Sequence, residues 1–140
     1  MPLKASRINP MKTLTISQPY ASLIADSKKF IENRHWATSY RGPLAIHAGS
    51  GTQYMTAAQL TAYPHGCVIA VARLAACLNL VSLKKLELDQ VTEFVPGLKI
   101  HDILDHEYTE GPWCWVLTDV RKLETPVRCS GKQGLWEFDW

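Results

Sequence analysis

Lys12-Thr13-Leu14-Thr15-Ile16-Ser17-Gln18-Pro19-Tyr20-Ala21-Ser22-Leu23-Ile24-Ala25-Asp26-Ser27-Lys28-Lys29-Phe30-Ile31-Glu32-Asn33-Arg34 is the stretch that decides the fold class. Lys12 to Ile16 alternates threonine with apolar residues, the period of a strand. Ser17 is suited to cap a helix, with Pro19 in its first turn, where a missing N–H costs nothing. Ala21, Leu23, Ile24 and Ala25 supply the apolar face of that helix, and Phe30 to Arg34 forms a second strand. A strand, one short helix and another short strand do not make the long crossover of a parallel α/β sheet.

Outward from this stretch, Leu44 to Ala48 reads as a third strand, entered through Arg41-Gly42-Pro43. Thr52 to Tyr63 reads as a second helix, ended by Pro64-His65-Gly66. Cys67 to Leu80, long and rich in Val, Ile and Ala, is the strongest strand signal, and its length suggests a strand that bends or bulges. Between Val81 and Gly111 the pattern is least legible. Leu83, Leu86 and Leu88 beside charges suggest a helical turn, and the acidic stretch reads as an insertion covering one end of the fold. Trp113 to Leu117, Thr125 to Cys129 and Leu135 to Phe138 are further strands. Short strands with early helices and no βαβ alternation predict an α+β fold on a small β-barrel, of about six strands with two or three short helices.

The chain has 140 residues, 46% apolar and 20% charged, with a formal net charge of +2. That is one ordinary domain, expected over 12–140, behind a flexible arm at 1–11. No apolar run approaches the ~18 residues of a membrane span, and no apolar leader region is present, so a cytoplasmic location is the default expectation. Residues 1–73 carry eight Lys/Arg against two acids, and residues 74–120 carry three against eight. A basic first half attracts phosphate, although a dipolar surface without a partner has the same charges. Cys67, Cys77, Cys114 and Cys129 lack zinc spacing and read as free buried thiols, so neither metal nor cofactor is expected.

Lys29, Glu32 and Arg34 are the candidate site. Residues two apart on a strand share a face, so Glu32 and Arg34 point the same way. Two cations with one carboxylate suit an anion, a phosphate or a polar base edge, and a surface salt-bridge cluster is the plain alternative. Tyr20 and Trp36 flank the cluster and suit stacking on an unpaired base, or Trp36 packs under the Tyr40-Arg41 turn. Gln18 reads a base edge or closes a turn. Lys132 and Gln133 sit in the glycine-bracketed loop 131–134, which either approaches a phosphate or is a solvated hairpin. His47 is the histidine nominated for the rim of a cleft. His101 and His106, near Asp102, Asp105 and Glu107, fit no familiar ligand pattern and read as a solvated loop.

The spacing Lys29-x-x-Glu32-x-Arg34 resembles the G-x-K-x-x-E-x-R signature of ASCH domains, modules of the PUA-like superfamily. Ser17-Gln18-Pro19-Tyr20-Ala21-Ser22-Leu23 is similar to that family's S-x-Q-P-W-A-S-L opening, and Arg41 to Ala48 to its R-G-x-L-x-I-x-A strand. Gly66 to Ala72 resembles its central strand, and Gly131 to Trp136 its closing G-x-x-G-L-W. Ser27 replaces the signature glycine, and Tyr20 stands where tryptophan is commoner. The resemblance implies a small barrel whose basic cleft grips RNA or another single strand, taking phosphate and one unstacked or modified base. It implies that Lys29, Arg34 and Lys132 meet phosphate, with Glu32 accepting a base amine or orienting Lys29. Some similar proteins are nucleoside amidohydrolases or ribonucleases. A metal-free hydrolase with Lys29 and Glu32 as catalytic residues, helped by His47, is therefore the alternative. The amidohydrolase subgroup has threonine where this chain has Glu32.

Overall fold

The computed structural model describes residues 10–85 and 95–140. Six strands form one mixed sheet in the order β2-β5-β4-β3-β1-β6: β1 Met11–Ile16, β2 Ile31–Arg34, β3 Gly42–Ala48, β4 Cys67–Asn79, β5 Trp113–Arg128 and β6 Leu135–Phe138. The helices are short: α1 Tyr20–Ala25, α2 Ala57–Ala62, α3 Leu80–Leu83 and α4 Ile100–Leu104. This is the expected α+β class, with six strands among the described residues where about six were expected. The hydrogen-bonded order begins at β2 and ends at β6, and four helices stand among the described residues where two or three were expected. Most of the expected arm, at 1–9, lies outside the described residues, as do Leu86 and Leu88 of the expected helical turn.

The chain divides into two compact units. The first holds the chain up to Lys28, Pro43–Ala72 and Val120–Trp140. In it β1 runs parallel to β3, Thr13 opposite Ala45 and Ile16 opposite Ala48, and antiparallel to β6, Met11 opposite Phe138. Ala45, Val68, Trp136 and Phe138 form a core cluster, with Met11, Leu123, Val127 and Cys129 packed against it. Removing such apolar surface from water is the main stabilising term, about 25 cal/mol per Å² buried.

The turn after α1 belongs to this unit. Ser27 takes a positive φ of 60°. Its N–H donates to the Ile24 carbonyl at 2.9 Å, and the Lys28 N–H donates to the Leu23 carbonyl at 2.8 Å. These two bonds make a Schellman ending, in which glycine is usual because Cβ crowds the left-handed backbone. The turn therefore forms without the signature glycine. At the other end of α1, Ser17 does not cap with its side chain. The Gln18 Oε1 accepts from the Ser22 N–H at 2.9 Å instead, and the Ser17 carbonyl accepts from the Ala21 N–H. The second helix is shorter than the expected 52–63, starting from a capping box between Thr56 and Gln59.

The second unit holds Lys29–Gly42 and Arg73–Asp119. Here β2 lies antiparallel to β5, Ile31 opposite Val116, Glu32 opposite Trp115 and Arg34 opposite Trp113. Ile31, Ala76, Leu83, Ile100, Ile103, Cys114 and Val116 form its core. Ile100 and Ile103, three apart on α4, share a helical face, so the stretch read as a solvated loop is a helix with one buried face. The two strands expected at Trp113–Leu117 and Thr125–Cys129 are one continuous strand, β5. Its polar middle carries no apolar alternation to read, and Asp119 within it takes a positive φ of 51°.

Candidate functional site

Lys29, Glu32 and Arg34 all belong to the second unit, and the structure brings their charged ends together. The Lys29 Nζ donates to the Glu32 Oε1 at 2.9 Å and also to the Ile31 carbonyl. The Arg34 Nε and Nη2 each lie 3.0 Å from the Glu32 Oε2. Each carboxylate oxygen thus has its own cation, and the three side chains carry a net charge of +1. Glu32 and Arg34 share a face of β2, as their spacing predicts. The side chain of Lys29 is 3% exposed, that of Glu32 9% and that of Arg34 23%. This is not a surface salt-bridge cluster. Taking these charges out of water is costly unless each is paired, and here the pairing is complete around the carboxylate.

On the opposite face of β2, Asn33 does work that the sequence reading missed. Its Nδ2 donates to the Tyr108 carbonyl at 2.7 Å, and its Oδ1 accepts from the Glu110 and Gly111 N–H groups, both at 2.9 Å. An asparagine in a strand is disfavoured unless its amide is used, and that is the signal which could have found it. Trp36 is 38% exposed. Its ring meets that of Trp115 edge-on, with centroids 4.8 Å apart, and the Trp115 Nε1 donates to the Trp36 carbonyl at 3.2 Å. An edge-on support holds the outer ring while leaving much of it open.

His106 packs on Phe30 at 4.5 Å and on Tyr108 at 5.7 Å. Its Nε2 is buried with no hydrogen-bond partner among the described residues. Burial holds its pKa below the ordinary histidine value, the Lys29 ammonium lowers it further, and Glu107 opposes both. Burial likewise pushes the Cys114 thiol up to about 11, with Cys77 adding to the effect, so this cysteine is no nucleophile near neutral pH.

The other nominated residues belong to the first unit. Gln18 is fully buried: its Nε2 donates to the Ser22 Oγ and to the Pro64 carbonyl, both at 2.8 Å. It closes a turn, the plainer of its two readings. Tyr20 is half-buried with its ring 5.6 Å from that of Tyr54. His47 is 1% exposed, so it lies inside and not at a rim. Its Nε2 is 2.8 Å from the Cys129 carbonyl, which can only accept, so this nitrogen carries a hydrogen. Its Nδ1 lies 3.2 Å from the Thr15 Oγ1, which in turn accepts from the Trp136 Nε1 at 3.1 Å. Gly131 closes the node: a Cβ there would meet the His47 Cε1 and the Thr15 Oγ1 at 2.8 Å. Lys132 and Gln133 are exposed beyond it, the Lys132 Nζ lying 5.9 Å from the Trp136 ring centre.

Among the described residues, no three His, Cys, Asp or Glu side chains gather in a way that could hold a metal ion, and no helix is long and apolar enough to cross a membrane. His101 pairs with Asp105 at 3.7 Å on the exposed side of α4.

No curated protein matches the chain. Among solved structures, the ASCH protein of Zymomonas mobilis superposes with a TM-score of 0.55 at 15% identity, covering 91% of this chain and 87% of that one. A serine-to-alanine variant of that protein gives 0.53 at 15% identity, with coverage of 91% and 87%. At such identity the likeness speaks for the fold alone. The ASCH domain family matches residues 14–127, most of the chain, including Lys29, Glu32 and Arg34. The chain belongs to the ASCH domain family.

Proposed function

We propose that this protein binds RNA, gripping phosphate and one unstacked or modified base. The observation that carries the reading is the cluster on β2. Its carboxylate is consumed by two cations, its net charge is +1, and its guanidinium is the member open to solvent. A guanidinium held by one edge presents a planar, charged donor set that matches phosphate. Two residues along the chain, the open ring of Trp36 offers a stacking surface, which contributes about 1–3 kcal/mol per base in single-strand complexes. In the first unit, Lys132 and Gln133 at the exposed turn supply further polar contacts and Tyr20 a second ring. Membership of the ASCH family supports the same class of partner.

The test is a titration of labelled single-stranded RNA and DNA at two salt concentrations, with the RNA then run on a denaturing gel. Affinity for RNA should fall steeply between the two salts, because each neutralised phosphate of a single strand adds about −0.7 to the slope of log K against log salt. Full-length RNA should be recovered. Absence of binding at low salt would overturn the proposal. Shortened RNA, lost in Glu32→Gln, would replace it with the hydrolytic alternative using Lys29 and Glu32.

A further inference from the structure

The three charged residues of the cluster are not equivalent. Lys29 is nearly sealed, with its ammonium on the Glu32 Oε1 and on the Ile31 carbonyl. With its side chain 3% exposed, that ammonium is out of reach of a phosphate at the surface. Arg34 is several times more exposed, and two nitrogens of its guanidinium converge on the single oxygen Glu32 Oε2. Two nitrogens on one acceptor fix the plane of the guanidinium as well as its position.

Resting on the RNA-binding reading, we infer that Lys29 is a positioning residue, which locks Glu32 so that Glu32 aims Arg34 at the phosphate. Lys29 holds one carboxylate oxygen, and this stops the carboxylate turning about its terminal torsion, which is otherwise a broad and soft rotation. The second oxygen then stands still beneath the guanidinium. Lys29 and Arg34 thus share one carboxylate, each on its own oxygen. The lysine of the cluster therefore acts on RNA through two other side chains, and Arg34 is the group that touches it.

A double-mutant cycle separates this from direct contact. Arg34→Gln should weaken binding of a labelled single-stranded RNA about tenfold, and Lys29→Met about fivefold. The double variant should bind no more weakly than Arg34→Gln alone, with the same salt slope. Multiplying losses, with a slope reduced by about 1.4 for two lost phosphate contacts, would overturn the inference and leave RNA binding standing. Glu32→Gln gives a second route should Lys29→Met fold poorly. It removes a negative charge, so simple attraction to phosphate predicts tighter binding, whereas loss of aim predicts binding about fivefold weaker. Tighter binding overturns the inference. A readout without RNA keeps the two proposals distinct. The Arg34 Nε–H should give a sharp cross-peak in a ¹H–¹⁵N spectrum of the wild type that broadens in Lys29→Met, and an unchanged cross-peak would overturn the positioning role whatever the RNA result.

Discussion

The Lys29–Glu32–Arg34 cluster and the Thr15–His47–Trp136 node are both polar groups set in strands, and on paper both look like sites. They differ in what is left over. At the node three bonds turn inward: Trp136 donates to Thr15, Thr15 meets the His47 Nδ1, and the His47 Nε2 donates to the Cys129 carbonyl. Gly131 presses against the ring with no room for a Cβ. In the cluster, Glu32 is satisfied while a net positive charge persists on a partly exposed guanidinium. A buried network turned inward specifies a core, whereas a network whose outer member is a partly exposed guanidinium presents a cation suited to an anion.

Breaking the cluster should have the largest effect. Glu32→Leu leaves a nearly sealed ammonium without its carboxylate and should cost about 3–5 kcal/mol in denaturant unfolding. A cost below 1 kcal/mol would mean the pairing contributes little. Gly131→Ala attacks the node. Forcing a methyl against His47 and Thr15 should cost about 1–3 kcal/mol in the same measurement, yet leave the salt slope of RNA binding unchanged. A changed slope would erase the contrast drawn between the two regions.

A smaller effect of opposite sign is expected at the turn leading into the cluster. Ser27 holds a left-handed backbone that costs a non-glycine residue about 1–2 kcal/mol. Ser27→Gly should therefore raise stability by about 0.5–1 kcal/mol after the greater entropy of glycine in the unfolded chain is subtracted. A lower melting temperature would refute this. The smallest effect concerns pH. The pKa of His106 is lowered in the fold from the ordinary 6.5 by burial and by Lys29. Between the two values the unfolded chain binds more protons, so stability rises with pH there. The contribution is complete above about pH 6.5 and is lost as pH falls through the folded-state value. His106→Phe should flatten the stability profile in that window. An unaltered profile would mean that His106 titrates alike in both states.

Much of the fold was legible because its strands announce themselves by period and apolar content. The observed β1, β3, β4 and β6 start and end within two residues of the expected bounds, because each buries apolar residues, aliphatic in β1, β3 and β4 and aromatic in β6. The middle of β5, residues 118–124, escaped since Arg121, Lys122 and Glu124 are exposed and carry no apolar alternation. The short helix α4 escaped because two isoleucines in an acidic stretch are a faint signal. The meeting of Glu32 and Arg34 was legible from their spacing, since a strand's period places them on one face. Gln18 and His47 show where sequence falls short. Their amide and ring are consumed by the carbonyls of Pro64 and Cys129, 46 and 82 residues away, and no local pattern reveals so distant an acceptor.

A ¹H–¹⁵N spectrum of Arg side chains, titrated with single-stranded RNA, tests the central claim most directly. The Arg34 Nε–H cross-peak should move progressively and saturate, while the ring nitrogens of His47 hold their positions. An Arg34 signal that stays fixed while RNA binds would show that the phosphate is held elsewhere and that the cluster is only a buried ion network.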